Sequence, residues 1–322
     1  MLRFFTVIVS LLIINNVYAA DYFSSTQPEI AQFIDKMVAK HHFDRQELIL
    51  LIDSIKQRPP TVQQAATRAN PKPWHIYRSI FVNTERITQG LAFWKTHQAA
   101  LDKAEKKYGV PASIIVATIG VETHYGKQKG KFKVIDALVN LAFNPGNRKN
   151  YFRNELEEFL LLSKEQHLDP TQVMGSYAGA IGQPQFMPSS FRHYAVNFSE
   201  DDRIDLSNNE TDVIGSIANY YHKNGWQKNQ MIAMPTSQTG GQYSFSLIRP
   251  KPISMTELIK KQLTPENTDL PESRLLKLQT QYGAEYWLGF HNFDVIRRYN
   301  HSDLYAMAIY QLSYYLTLMR RT

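Results

Sequence analysis

The chain has 322 residues, with 36 Lys and Arg against 29 Asp and Glu, a formal charge of +7. Hydrophobic residues make up 43%, enough to build a core, which excludes general disorder. There is no cysteine, which excludes disulfides, thiolate metal ligands, a cysteine nucleophile and a lipid-modified N-terminal cysteine. The excess of base is modest and dispersed, and suits an anionic polymer or surface as well as nucleic acid.

Met1-Leu2-Arg3 precedes an apolar run, Phe4 to Ile14, and then Val17-Tyr18-Ala19. This is the pattern of a secretory leader cleaved after Ala19. The run falls well short of the roughly 20 apolar residues that span a bilayer. The expectation is an exported, soluble chain with no membrane span and no nucleic-acid partner. Pro28 to Lys56 reads as one helix, with Ile30, Phe33, Ile34 and Met37, then Leu48, Leu51 and Ile52, at helical spacing. Arg58-Pro59-Pro60 ends it, and Asn70-Pro71-Lys72-Pro73 opens a segment read as extended, carrying Trp74 and Tyr77. Thr84 to Tyr108 is helical in pattern. After the break Gly109-Val110-Pro111, Ala112 to Val121 is almost wholly apolar, the mark of a helix buried on all sides. Val134–Phe143 and Tyr151–Leu162 read as two further helices.

Gly175 to Ser190 is rich in Gly, Ala, Ser and Pro and reads as short helix with tight turns. Thr211–Lys223 is helical. Between 232 and 253 the pattern changes to short strands, with Tyr243, Phe245 and Leu247 alternating. Met255–Leu263 reads as a short helix, Thr264–Leu278 as loop and strand, Leu288–Arg298 as containing a turn, and Ser302–Met319 as a long Tyr-rich helix. The expected class is mainly α with a small β-insert near 230–290, an α+β chain.

Glu122 is the only acid between Glu105 and Asp136, and it ends the apolar helix. Burial raises a carboxyl pKa, and the negative end of a helix pushes the same way. Both would hold a proton on Glu122 at neutral pH, as a general acid requires. The same residue also reads as an ordinary Glu in a last helical turn, reaching solvent or a lysine. The segment Gly175-Ser176-Tyr177-Ala178-Gly179-Ala180-Ile181-Gly182-Gln183-Pro184-Gln185-Phe186-Met187-Pro188 offers hydroxyls and amides for sugar, or equally tight packing with no ligand. No acid occurs from Pro170 to Ser199.

Val121-Glu122-Thr123-His124-Tyr125-Gly126 followed by that segment resembles the lytic murein transglycosylase B family. Phe93-Trp94, Tyr108-Gly109-Val110-Pro111, Phe152-Arg153-Asn154-Glu155-Leu156, Ile214-Gly215-Ser216-Ile217-Ala218-Asn219-Tyr220 and Tyr299-Asn300-His301-Ser302 extend the likeness from about Tyr77 to the C-terminus. The resemblance implies a lysozyme-like core with an extra helical subdomain and a small β part. The divisions expected are a leader at 1–19, a helical subdomain at 20–100, a catalytic core at 101–230, a β-containing insert at 231–290 and a returning helix at 291–322. It implies cleavage of the β-1,4 bond between N-acetylmuramic acid and N-acetylglucosamine in peptidoglycan, leaving a 1,6-anhydro ring; the leader and the missing cysteine give the expected location, soluble in the periplasm.

Glu122 matches the catalytic acid. Ser176 matches the residue that bonds the acid or the acetamido group, and Gln185 a sugar-binding amide. Tyr77, Tyr299, Asn300 and Tyr305 match positions lining the cleft. Arg148 matches a basic position that meets the acidic stem peptide, with Asn147 where members often carry a second Arg. Asn197, Ser199, Asp201 and Asp212 align with a calcium loop of some members, although Asn stands first, one residue is inserted before Asp212, and Glu200-Asp201-Asp202 replaces a glycine-bearing turn. No cofactor is expected for the reaction, and calcium, if bound, would be weak and structural. The partners implied are glycan strands and, as a further class, cell-wall synthesis proteins; a monomer is expected. Two rival readings are a hydrolytic muramidase and a non-enzymatic peptidoglycan-binding protein. Anhydro against reducing product ends separates the first, and intact Glu122, Ser176 and Gln185 argue against the second.

Overall fold

A computed structural model describes residues 22–58, 72–236 and 272–321. The leader expected at 1–19, the strand pattern at 243–247 and the helix at 255–263 lie outside them. The chain divides into two compact units, Met1–Pro59 and Pro60–Thr322. Among the described residues are twelve helices and five short strands.

In the first unit α1 (Pro28–His41) and α2 (Arg45–Asp53) pair through Ile30, Phe33, Ile34 and Met37 on one helix and Leu48 and Ile52 on the other. The single helix expected over 28–56 is divided because His42 turns left-handed at φ 56 and Asp44 caps the second helix, accepting from Glu47 N at 2.8 Å. The apolar spacing continues across the break, so periodicity alone did not mark it.

The second unit begins with α3 (Trp74–Phe81), where an extended segment was expected. Pro73 sits at its N-cap with φ −62, a value that leads straight into a first turn. Trp74 buries itself beneath it. The stretch 84–108 is two helices, α4 (Thr84–Thr96) and α5 (Gln98–Tyr108), meeting at His97. Gly109 (φ 73) stops α5, and Pro111 precedes α6 (Ala112–Thr123). As its composition predicts, every residue of α6 except Glu122 is buried. It is surrounded by α4, α5, α10 (Glu210–Lys223) and α12 (Asp303–Arg320).

Beyond α6 come β1 (Phe132–Lys133), α7 (Val134–Phe143), α8 (Lys149–Glu165) and β2 (Met174–Gly175), which pairs antiparallel with β1. α9 is Pro188–Tyr194. A three-stranded antiparallel sheet, in the order β3 (Ala233–Pro235), β5 (Gly283–Gly289), β4 (Arg274–Thr280), carries Leu275, Tyr286 and Leu288 into a small core with Phe290. α11 (His291–Asn300) fills the stretch read as containing a turn, and it joins α12 through left-handed His301 and the N-cap Ser302. Arg297 pairs with Asp303 across this corner, which fixes where Tyr299, Asn300 and Tyr305 stand.

Candidate active site

Glu122 sits in the last turn of α6, half-buried. Three successive left-handed residues follow it: His124 (φ 54), Tyr125 (φ 57) and Gly126 (φ 81). The turn is held from several sides. Tyr125 Oη donates to Arg86 O at 2.8 Å, Gly126 N donates to Thr123 Oγ1 at 3.1 Å, and Thr123 Oγ1 donates to Gln183 O at 3.1 Å. The Tyr125 ring lies between α4 and α6. A Cβ on Gly90 or Gly120 would come within 2.4 or 2.6 Å of its hydroxyl, which accounts for a glycine inside an otherwise bulky helix. The strain of consecutive left-handed non-glycine residues is thus countered by contacts from α4 and from the 175–187 segment.

Tyr305, in the first turn of α12 and buried, donates from Oη to Glu122 Oε1 at 2.5 Å. Burial lifts the Glu122 carboxyl from its ordinary 4.5 to about 7, while the Tyr305 hydrogen bond pulls the other way. The sign expected from the sequence therefore holds, with burial as its main cause. The carboxylate in turn helps push up the pKa values of Tyr77, Tyr220, Tyr221, Tyr299 and Tyr305, each of which is raised first by its own burial. Glu122 is thus ringed by phenols rather than by charges. Tyr299 stacks on Tyr305 (6.1 Å, 19°) and donates to Pro184 O at 2.6 Å. Tyr220 and Tyr221 on α10 complete the wall behind them, and Tyr221 Oη lies 2.9 Å from Thr118 Oγ1. In the sequence reading Tyr220 entered only as part of the family motif, with no role given to it, and Tyr221 not at all. Their signal was a Tyr pair in a helix with no other buried aromatic residue.

Among the expected cleft residues, Tyr305 bonds Glu122 directly, and Tyr77 and Tyr299 lie near enough for its charge to raise their pKa values. Ser176 Oγ accepts from Ala178 N (3.3 Å) and Ala180 N (3.0 Å), which closes the tight turn it begins. Gln185, at φ 52, donates from Nε2 to Gly182 O (2.8 Å) and Lys129 O (3.2 Å). Asn300 is exposed at the end of α11. Arg148 is exposed just before α8, with its guanidinium 4.2 Å from the Tyr151 ring centroid and 5.3 Å from that of Phe152.

The four residues expected to hold calcium do converge, but on hydrogen-bond donors of the chain itself. Both Asp212 oxygens accept from the loop, and an Asn209 amide bridges Ser199 and Asp201. Among the described residues no group of three or more His, Cys, Asp or Glu side chains is placed to hold a metal. The donor set does not fit a calcium cage.

Residues 25–314 match the transglycosylase SLT domain family. The chain is 40% identical over 309 residues to the membrane-bound lytic murein transglycosylase B of Escherichia coli K12, covering 92% of this chain and 84% of that one. The crystal structure of the soluble lytic transglycosylase SltB1 of Pseudomonas aeruginosa is 40% identical, with a TM-score of 0.85 over 92% of this chain and 100% of that one. The Escherichia coli lytic transglycosylase Slt35 in complex with calcium is 37% identical, with a TM-score of 0.85 over 95% and 99%. The mainly α fold with a lysozyme-like core is borne out by these neighbours.

One expectation is corrected. A soluble periplasmic location was read from the leader and the missing cysteine, yet a relative at 40% identity is membrane-bound. The same fold therefore works attached to a membrane, and a leader pattern together with residue types does not fix the location. No helix among the described residues is long and apolar enough to cross one. The chain belongs to the transglycosylase SLT domain family, the lytic transglycosylases.

Proposed function

We propose that this chain cleaves the β-1,4 bond between N-acetylmuramic acid and N-acetylglucosamine in peptidoglycan, forming 1,6-anhydro-N-acetylmuramic acid with Glu122 as its single acid and base. One observation carries the reading. Glu122 has a pKa near neutrality, caused by burial and opposed by Tyr305, with no second carboxylate among the described residues contributing to the shift. Ordinary glycosidases place two carboxyl groups about the bond. With one acting on the site, the reading is that the substrate provides the nucleophile.

Tyr305 engages Oε1, so Oε2 meets the glycosidic oxygen. Glu122 gives its proton to that oxygen, the bond from C1 breaks, and the 2-acetamido oxygen stabilises the positive charge at C1. The resulting carboxylate takes the proton of the C6 hydroxyl, O6 bonds to C1, and the acid is restored. The nucleophile is tethered to the centre it attacks, so proximity replaces water. Ser176 Oγ already accepts two amides, which leaves its proton to give to the acetamido oxygen. Both amide protons of Gln185 are engaged, which leaves its carbonyl to accept from a sugar hydroxyl. Tyr77 and Tyr299 offer ring faces, Asn300 offers its amide at the rim, and Arg148 faces solvent where an acidic stem peptide could reach it.

Tyr305 favours the ionised Glu122, so removing its hydroxyl raises the carboxyl pKa further. For Tyr305→Phe the descending limb of the pH profile of kcat/KM, expected near pH 7 in the parent, moves upward. A limb that stays in place would remove Tyr305 from this role. Mass spectrometry of a digest of purified peptidoglycan tests the function as a whole. Anhydro ends are expected, reducing ends would indicate hydrolysis, and an intact sacculus would indicate a binding protein.

A further inference from the structure

The loop from Asn197 to Asp212 has the spacing of a cation-binding loop but a different interior. Calcium takes six to eight oxygens and gains affinity from their charge. Here Asp212, fully buried, accepts on Oδ1 from Phe198 N (2.7 Å), Ser199 N (2.9 Å) and Ser199 Oγ (2.9 Å), and on Oδ2 from Asp205 N (3.0 Å). Each carboxylate oxygen has about two lone-pair sites, so Oδ1 is fully engaged by the loop and Oδ2 keeps one site beside the Asp205 amide. Asn197 Oδ1 accepts from Glu200 N (2.8 Å) and Asp201 N (3.2 Å). Asn209 Nδ2, a pure donor, reaches Ser199 Oγ (2.9 Å) and Asp201 Oδ2 (3.1 Å). It stands between two of the oxygens a cation would need, and its own Oδ1 caps α10.

A positive charge is also supplied from α5. Lys103 Nζ donates to Phe198 O (3.2 Å) and Glu200 Oε1 (2.7 Å) and lies 4.6 Å from the Phe198 ring centroid. Lys103 and Glu200 are largely exposed, so solvent weakens this pair and Asn209 carries more of the effect. We propose that in this chain protein donors, chiefly the Asn209 amide, close the 197–212 loop in place of a calcium ion, so that its stability does not depend on the metal. The proposal stands apart from the reaction assigned to Glu122.

Thermal unfolding of the full chain, in chelator and in about 5 mM calcium, tests it. That concentration exceeds the ~1 mM dissociation constant of weak extracellular calcium modules. A binding site would raise Tm by about 2 °C or more, whereas less is expected for the parent. Asn209→Asp keeps a good N-cap but replaces the bridging donor by an oxygen beside Asp201. This variant should melt below the parent in chelator and regain about 2 °C or more in calcium. A parent that calcium stabilises, or an Asn209→Asp protein that calcium does not, overturns the proposal.

Discussion

Glu122→Gln should lower the rate of muropeptide release by at least about 1,000-fold, because one side chain gives the proton that breaks the bond and takes the proton that closes the ring. Glutamine keeps the shape of the side chain and can still accept the Tyr305 hydrogen bond, so the fold and the cleft survive. The variant should therefore sediment with purified sacculi as the parent does while releasing almost nothing. Activity within tenfold of the parent would mean that the chemistry lies elsewhere.

The same substitution should make the protein more stable at alkaline pH. In the unfolded chain the carboxyl titrates at about its ordinary 4.5, and in the fold at about 7. The fold therefore keeps a proton that the unfolded chain releases. Stability held below the lower value is lost progressively as pH rises through the higher one. A gap of this size corresponds to roughly 3 kcal/mol above neutrality. Glutamine, always neutral, escapes the cost. Glu122→Gln and parent should melt together near pH 4, while at pH 8 the variant should melt several degrees higher. Equal melting at both pH values would show that Glu122 is not held in its acid form by burial. The site is thus one where stability is given up for a poised acid.

Much of the site was legible from one contrast, a lone carboxylate closing a helix of apolar residues. An all-round apolar helix must lie inside the core, and its terminal acid must be at least partly buried with it. That reasoning gave both the position of α6 and the direction of the Glu122 shift. Tyr305 was visible only as a family position. Its 2.5 Å bond to Glu122 joins residues 183 positions apart, and local pattern carries no such information. Tyr220 likewise entered only within a family motif and Tyr221 not at all, since helical spacing does not separate a cleft wall from a core. Within elements, the errors followed local chemistry. Periodicity ran through His42, whose left-handed turn ends α1, and the prolines before Trp74 suggested extension where Pro73 instead starts a helix. The calcium alignment carried residue types but not which of them already had donors. Asp212 reads as a ligand in sequence and acts as the anchor of its own loop.

The central claim is that a solitary acid makes the sugar attack itself. Digesting peptidoglycan in water labelled with heavy oxygen tests this most directly. If O6 closes onto C1, the muramic ends carry no label and are one water lighter than hydrolysed ends. Label at C1 in the principal products would mean that water is the nucleophile, and the account would fail.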